Sequence, residues 1–228
     1  MKLNLRDLGT MSYGACWELQ RNRFDELLRY KAEASDPDPD TAGDLLLVEH
    51  RPVYTLGKSG KRDNLLVTEQ YLSSLGAEFF HIDRGGDITF HGPGQLVGYP
   101  ILDLEKLGIG LRTYIDTLEE AAIRTVAHYG IEAGRVAGAS GVWLDATGPR
   151  MRKICAIGVR SSRFVTMHGF GLNVSTDLSW FDRINPCGFK DRGVTSIEKE
   201  TGHRISMEEV KCLMSNHLSE LLNVKIYK

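Results

Sequence analysis

The 228-residue sequence lacks most of the features that assign a chain quickly. It has four cysteines and no Cys-x-x-Cys, too few for a disulfide scaffold at this size, so a reducing cytoplasm is the expected setting. No apolar run approaches the ~20 residues that span a bilayer as a helix. A formal net charge of −2 gives no electrostatic case for general nucleic-acid binding. Residues 1–8 are too polar for a secretion signal, and their aspartate argues against a transit peptide. No pair of histidines or cysteines has zinc-finger spacing. Gly57-Lys58-Ser59 looks like the end of a phosphate-binding loop, but Pro52 stands where that loop needs glycine. The glycines at 92, 94 and 98 miss the dinucleotide-binding spacing. Asn173-Val174-Ser175 matches a glycosylation acceptor, yet it falls in a predicted strand. There are no repeats, low-complexity tracts or linkers, so one domain over residues 1–228 is expected, long enough for a real core.

What is present is glycine, concentrated where a ligand would use it. Arg84 to Gln95 holds four glycines, a proline, an arginine and a histidine between two apolar strands, Glu78–Ile82 and Leu96–Leu104. Glycine weakens a strand and marks a bulge or the close approach of a ligand, so this stretch reads as a binding surface or as a long hairpin turn. Trp17, Phe24, Leu27 and Leu28 at helical spacing predict a helix over 14–34, and residues 36–40 end it as a loop. Leu45–Glu49 and Val53–Leu56 read as strands around Pro52. Gly57–Asn64 is a basic loop, and Thr68–Leu75 is a short helix capped by Gly76. Leu111–Tyr129 is a second long predicted helix, closed by Gly130. Val142–Leu144, Lys153–Val159 and Phe164–Val174 are predicted strands. Ser206 with Glu209 makes a capping box for a last helix whose expected stripe is Val210, Leu213, His217, Leu218 and Leu221. Strands and helices do not alternate regularly, which points to α+β, a mixed or antiparallel sheet packed with helices, and not to a doubly wound sheet.

Among the cysteines, Cys16, Cys155 and Cys212 sit in predicted helices or an apolar strand and read as small hydrophobes. Cys187 lies between Pro186 and Gly188, in a rigid turn that would present its thiol at a surface or cleft. It is a candidate nucleophile, and a thiol nucleophile needs a base or a neighbouring positive charge. Lys153, His91 and His168 compete for that part. By strand alternation Lys153 shares a face with Met151, Cys155, Ile157 and Val159. There it is either a desolvated lysine with a lowered pKa or a strand-end lysine whose stem carries its charge to water.

Four segments, Arg84–Gln95, Lys153–Arg160, His168–Val174 and Asn185–Phe189, together resemble the lipoyl(octanoyl) transferases, which share the fold superfamily of biotin- and lipoate-protein ligases. The resemblance runs from about Leu45 to Ile197, in the family's order. Asp87 and Phe90 stand where other members can carry glutamine and tyrosine, and Cys155 where alanine is frequent. The resemblance implies an acyltransferase that moves octanoyl from octanoyl-acyl carrier protein to a lysine of lipoyl domains, those of 2-oxoacid dehydrogenase complexes and the glycine cleavage H protein. It implies no ATP and no other cofactor. It casts Cys187 as the acyl-thioester residue and Lys153 as its activator. Acyl-substrate contacts would come from Arg84, Gly85, Gly86, Asp87, Ile88, Thr89, Phe90 and His91, from Ala156, Ile157 and Gly158, and from Gly169, Phe170 and Gly171. The fold would be the catalytic domain of biotin- and lipoate-protein ligases. Other readings are an ATP-dependent ligase on that fold, a non-catalytic binding module for acyl carrier or lipoyl domains, and a cysteine hydrolase. The basic loop at Lys58, Lys61 and Arg62 reads as a docking element for an acidic carrier or as a solvated turn.

Overall fold

A computed structural model describes residues 1–185 and 193–228. The chain opens with strand β1 (Lys2–Met11), helix α1 (Tyr13–Glu33) and strand β2 (Thr41–His50). Strand β3 (Val53–Leu56), helix α2 (Glu69–Ser74), β4 (Glu78–His81), β5 (Ile88–His91), β6 (Gln95–Leu102) and helix α3 (Leu111–Ala127) follow. Next come β7 (Gly134–Val136), β8 (Ala139–Leu144), β9 (Arg152–Ser162) and β10 (Val165–Asn173), then a 3-10 turn at Leu178–Arg183. The chain ends with β11 (Gly193–Val194), α4 (Ile197–Thr201), α5 (Met207–Leu222) and β12 (Lys225–Tyr227).

The main sheet runs β12-β1-β2-β6-β10-β9-β8-β7, with β11 added beside β9. It is mixed: β12, β1 and β2 are parallel, whereas β2 through β8 pair antiparallel. A second, small sheet has the order β4-β3-β5. The α+β expectation therefore holds. Strands β2, β6 and β10 are buried almost throughout, because the sheet is covered on both faces. On one face α1 lays Tyr13, Cys16, Phe24 and Leu27 against Val97, Ile101 and Met167. On the other, α3 and α5 supply Leu118, Ala122, Val210, Met214 and Leu218 against Leu45, Leu96 and Leu172. Cβ spacing at i, i+3 and i+4 gives each helix this one apolar stripe. A third cluster ties the small sheet to α2 and the 3-10 turn through Tyr54, Leu72, Phe90 and Trp180.

The helix signals carry over well: Thr68 caps α2, and the Ser206 hydroxyl accepts the Glu209 N–H at 3.3 Å at the start of α5. Two readings change. Strands β1 and β12 escape sequence reading because they form a polar edge. Only Leu3 of β1 is fully buried, and charged residues are how an edge strand avoids further pairing. On α5 the fully buried stripe is Val210, Met214, Leu218 and Leu222, while Leu213, His217 and Leu221 lie at its margin.

Candidate active site

Arg84 to Gln95 is neither a hairpin turn nor a loose loop. Its second half is β5, which pairs antiparallel with β3 in full register, Ile88 opposite Leu56 and His91 opposite Val53. Its first half crosses to the main sheet, where the Gly85 N–H donates to the Val159 carbonyl at 2.9 Å. Between this segment and the β9–β10 hairpin lies a cavity of about 580 Å³, within the range common for small-ligand sites. In the hairpin Ala156 faces Gly171, Ile157 faces Phe170 and Gly158 faces Gly169, and all six line the cavity. So do Arg84, Gly85, Gly86, Asp87, Ile88, Thr89, His91 and Lys153. Phe90 does not. Strand alternation sends it to the opposite side from Thr89 and His91, where it stacks on Trp180 at 5.2 Å and meets Tyr54 at 5.2 Å in the small core. The residue expected among the acyl contacts at this position therefore sits in the small core and not in the cavity wall.

Much of the glycine content is explained by the protein packing on itself. The Arg84 side chain is buried, and its guanidinium donates to the Thr55 carbonyl at 2.8 Å, to the Thr55 hydroxyl at 3.0 Å and to the Gly85 carbonyl at 3.0 Å. A Cβ at Gly57 would come within 2.9 Å of that guanidinium, and one at Gly158 within 3.0 Å of the Arg84 Cδ. These glycines make the space in which one arginine clamps the segment to β3 and β9. Asp87 closes the loop on the other side: its carboxylate accepts the Asn64 side-chain N–H at 2.5 Å and the Ile88 N–H at 2.7 Å.

Lys153 does not share a face with Cys155. Val142 pairs with Cys155 and Trp143 with Lys153, so Ile154 is an extra residue in β9. Such a bulge breaks the two-residue alternation. Ile154 and Cys155 both enter the core, and burial pushes the Cys155 thiol up to about 12, leaving it inert. Lys153 instead turns to the cavity. Its ammonium lies 4.4 Å from the centroid of the Trp143 ring and donates to the Ser140 carbonyl at 3.4 Å.

The competing histidines are built into the frame. The Gln95 side-chain nitrogen donates to the Phe90 carbonyl at 3.2 Å and to the Asn173 Oδ1 at 2.8 Å, so its oxygen accepts from His91 Nδ1 at 2.6 Å. Asn173 passes the chain on to the Thr195 carbonyl at 2.9 Å. His91 is buried, and burial pulls its pKa down to about 3. His168 Nε2 meets the Asp83 carboxylate at 2.9 Å. Burial lowers the His168 pKa against the pull of Asp83. Burial thus lowers the basicity of both His91 and His168, which suits walls better than bases.

Cys187 lies outside the described residues. The chain on either side of it is firmly tied. Before it, the Tyr54 hydroxyl donates to the Trp180 carbonyl at 2.7 Å, and the Asn185 N–H to the Asn64 carbonyl at 2.8 Å. After it, β11 pairs with β9, Val194 opposite Lys153, and the Thr195 N–H donates to the Lys153 carbonyl at 2.9 Å. Gly193 and Val194 line the cavity beside Lys153. Sequence reading did not assign Tyr13, Tyr99, Leu111, Ile115 and Trp143 to the site. They come from distant parts of the chain and carry no local signal. Gln95 and Asn173 lay within the flagged segments but were not singled out.

With this geometry in view, comparison with known proteins is specific. The family model described as the lipoyl protein ligase A/B catalytic domain matches residues 15–219. An octanoyltransferase of Bacteroides thetaiotaomicron is 52% identical over 225 residues, 99% of this chain and 97% of that one. One from Flavobacterium johnsoniae is 50% identical over 228 residues, covering 99% and 98%. A solved structure of Ta0514 from T. acidophilum, a putative lipoate protein ligase with bound lipoic acid, superposes with a TM-score of 0.70 at 17% identity, covering 100% of this chain and 88% of its own.

Proposed function

The chain belongs to the lipoyl protein ligase A/B catalytic-domain family, among its octanoyltransferases, and on that premise we propose how its site performs acyl transfer. The donor is octanoyl-acyl carrier protein, the acceptor is a lysine of lipoyl domains in 2-oxoacid dehydrogenase complexes and the glycine cleavage H protein, and Cys187 carries the acyl group between them. The supporting observation is Lys153 in the wall of a largely apolar cavity, paired alongside β11, whose first residue follows Cys187 by six positions. Residues 1–228 act as one catalytic domain in the cytoplasm, where thiols stay reduced.

The chemistry follows from thioester exchange. Lys153 favours the Cys187 thiolate, which attacks the donor carbonyl. The carrier thiolate leaves and takes up a proton, so one thioester replaces another at little cost. The acceptor amine then attacks the Cys187 thioester, the amide forms, and the released thiolate and the amine's proton return to the Cys187–Lys153 pair. Each methylene of the octanoyl chain buried in the cavity contributes about 0.8 kcal/mol, which holds the acyl-enzyme in place for the acceptor. Lys58 and Lys61, exposed at the edge of the site-bearing loop, are the proposed contact for the acidic carrier. Arg62 is already engaged by Glu69 and by the Phe79 ring.

Intact-mass spectrometry after mixing with octanoyl-acyl carrier protein tests the reading. The expected result is one octanoyl increment in the wild type and none in Cys187→Ser. An increment that survives the substitution defeats the covalent role of Cys187. Octanoylation of a lipoyl domain that proceeds only with ATP assigns the cavity to an acyl-adenylate instead.

A further inference from the structure

The β7–β8 hairpin closes one end of the main sheet. β7 has three residues, and the ladder shifts register within it and again between Val142 and Trp143. Such irregularities interrupt pairing, so the ladder alone holds this hairpin loosely. Yet β8 carries the Ser140 carbonyl that accepts from the Lys153 ammonium, and the Trp143 ring beside it. Gly138, Ala139 and Ser140 line the cavity with Lys153. A Cβ on Gly141 would meet the Cys155 carbonyl at 2.5 Å and the Lys153 Cε at 3.5 Å. β8 therefore lies directly against the lysine's stem.

Glu119 of α3 ties both strands of this hairpin down. Its carboxylate is buried and takes one donor from each strand. Oε1 accepts the Gly141 N–H of β8 at 2.9 Å, and Oε2 accepts from Arg135 Nε of β7 at 3.1 Å. The Arg135 guanidinium also donates to the Asp116 carbonyl at 3.1 Å and to the Glu120 carboxylate at 2.9 Å, which fastens β7 to the same helix. A buried carboxylate is costly unless it is paired and hydrogen-bonded, and this one is matched on both oxygens. Glu119 lies outside the four segments that carry the family resemblance. We propose that Glu119 is a positioning residue: through Gly141 it holds β8 where Ser140 and Trp143 fix the Lys153 ammonium for Cys187. The inference rests on the acyl-transfer reading above, in which Lys153 activates that thiol.

The test is the pH profile of Cys187 alkylation by iodoacetamide, in a Cys212→Ser background because Cys212 is exposed. Glu119→Met keeps helix propensity and side-chain length but offers Gly141 no oxygen. Its midpoint is expected to move upward, as in Lys153→Ala, by about half a unit or more, a roughly threefold loss of thiolate below the midpoint. Glu119→Gln keeps an oxygen for the Gly141 N–H and should leave the midpoint near the parent's. In a Lys153→Ala background Glu119→Met should add nothing, because the residue acts through the lysine. Arg135→Met, at a half-exposed side chain, loosens the β7 end of the same tie and should also move the midpoint upward. It decides the matter should Glu119→Met not fold. Loss of the carboxylate's charge by itself would favour the thiolate and lower the midpoint in both Glu119 variants, and that result overturns the positioning role. So does an upward shift equal in Glu119→Gln, one that persists in full without Lys153, or a profile that does not move. A Lys153→Ala profile coincident with the parent's defeats the activating role on which the inference rests. A wild type that takes no octanoyl from the carrier defeats the acyl-transfer reading itself.

Discussion

At the scale of single residues, Lys153 combines two influences that sequence reading treated as alternatives. It is neither fully desolvated nor a solvent-reaching strand end. It is half-buried, with its ammonium over the Trp143 ring, and an aromatic face favours the cation. An ammonium beside a thiol assists it mainly by stabilising its thiolate. Replacing Lys153 with alanine should therefore slow alkylation of Cys187 near neutral pH and move the midpoint of its pH profile upward. The measurement is the rate of iodoacetamide labelling across pH 6–10, in a Cys212→Ser background because Cys212 is exposed. A profile that coincides with that of the parent removes the activating role. The Phe90 result belongs to the same scale. Alternation within β5 decided its side, and the sequence alone did not reveal which side faced the cavity.

At the scale of elements, the site depends on how closely β6 approaches β10. Gly98 of β6 pairs with Phe170 of β10, and a Cβ on Gly98 would sit 2.1 Å from the tip of the Phe170 ring. That ring is buried and lines the cavity. Gly98→Ala should overpack this contact and cost about 1–3 kcal/mol of stability, read from urea unfolding. Phe170→Leu in the same chain should recover part of the loss, because neighbouring substitutions couple. Additive losses from the two changes would show that the contact is not what requires glycine. The elements with strong periodicity or caps were legible beforehand: α1, α2, α3, α5 and the strands around the glycine segments. The polar edge strands β1 and β12 were not, since they bury too few side chains to leave an alternation.

At the scale of the whole molecule, three parts of the fold meet at one cavity. The small sheet brings Arg84 to His91, the main sheet brings the β9–β10 hairpin with Lys153, and helices α1 and α3 bring Tyr13, Leu111 and Ile115. The basic loop carrying Lys58 and Lys61 projects from the same small-sheet unit, its backbone tied to Arg84 and Gly86. Reversing both lysines to glutamate should raise KM for the acyl carrier protein severalfold at low salt, with the difference shrinking as salt screens it. A KM that does not change at low ionic strength removes the loop from carrier docking. No helix among the described residues is long and apolar enough to cross a membrane.

The sequence by itself determined the α+β class, most helices, and the segments that build the cavity. It did so because glycine clusters, caps and apolar periodicity are local and survive without a fold. It also raised Cys187 as a candidate nucleophile with Lys153, His91 and His168 competing as its partner, and the family resemblance chose Lys153 among them. Only the tertiary structure decided which atoms share the cavity. A single inserted residue at Ile154 separates Lys153 from Cys155, strand pairing turns Phe90 away from the site, and α1 brings Tyr13 beside His91. Each is a consequence of register or of contacts between residues far apart in the chain, and neither is written in local pattern. The opening arginine–glycine stretch was legible as a site. Its physical reason, an arginine buried among glycines that would otherwise collide with it, belongs to the folded molecule.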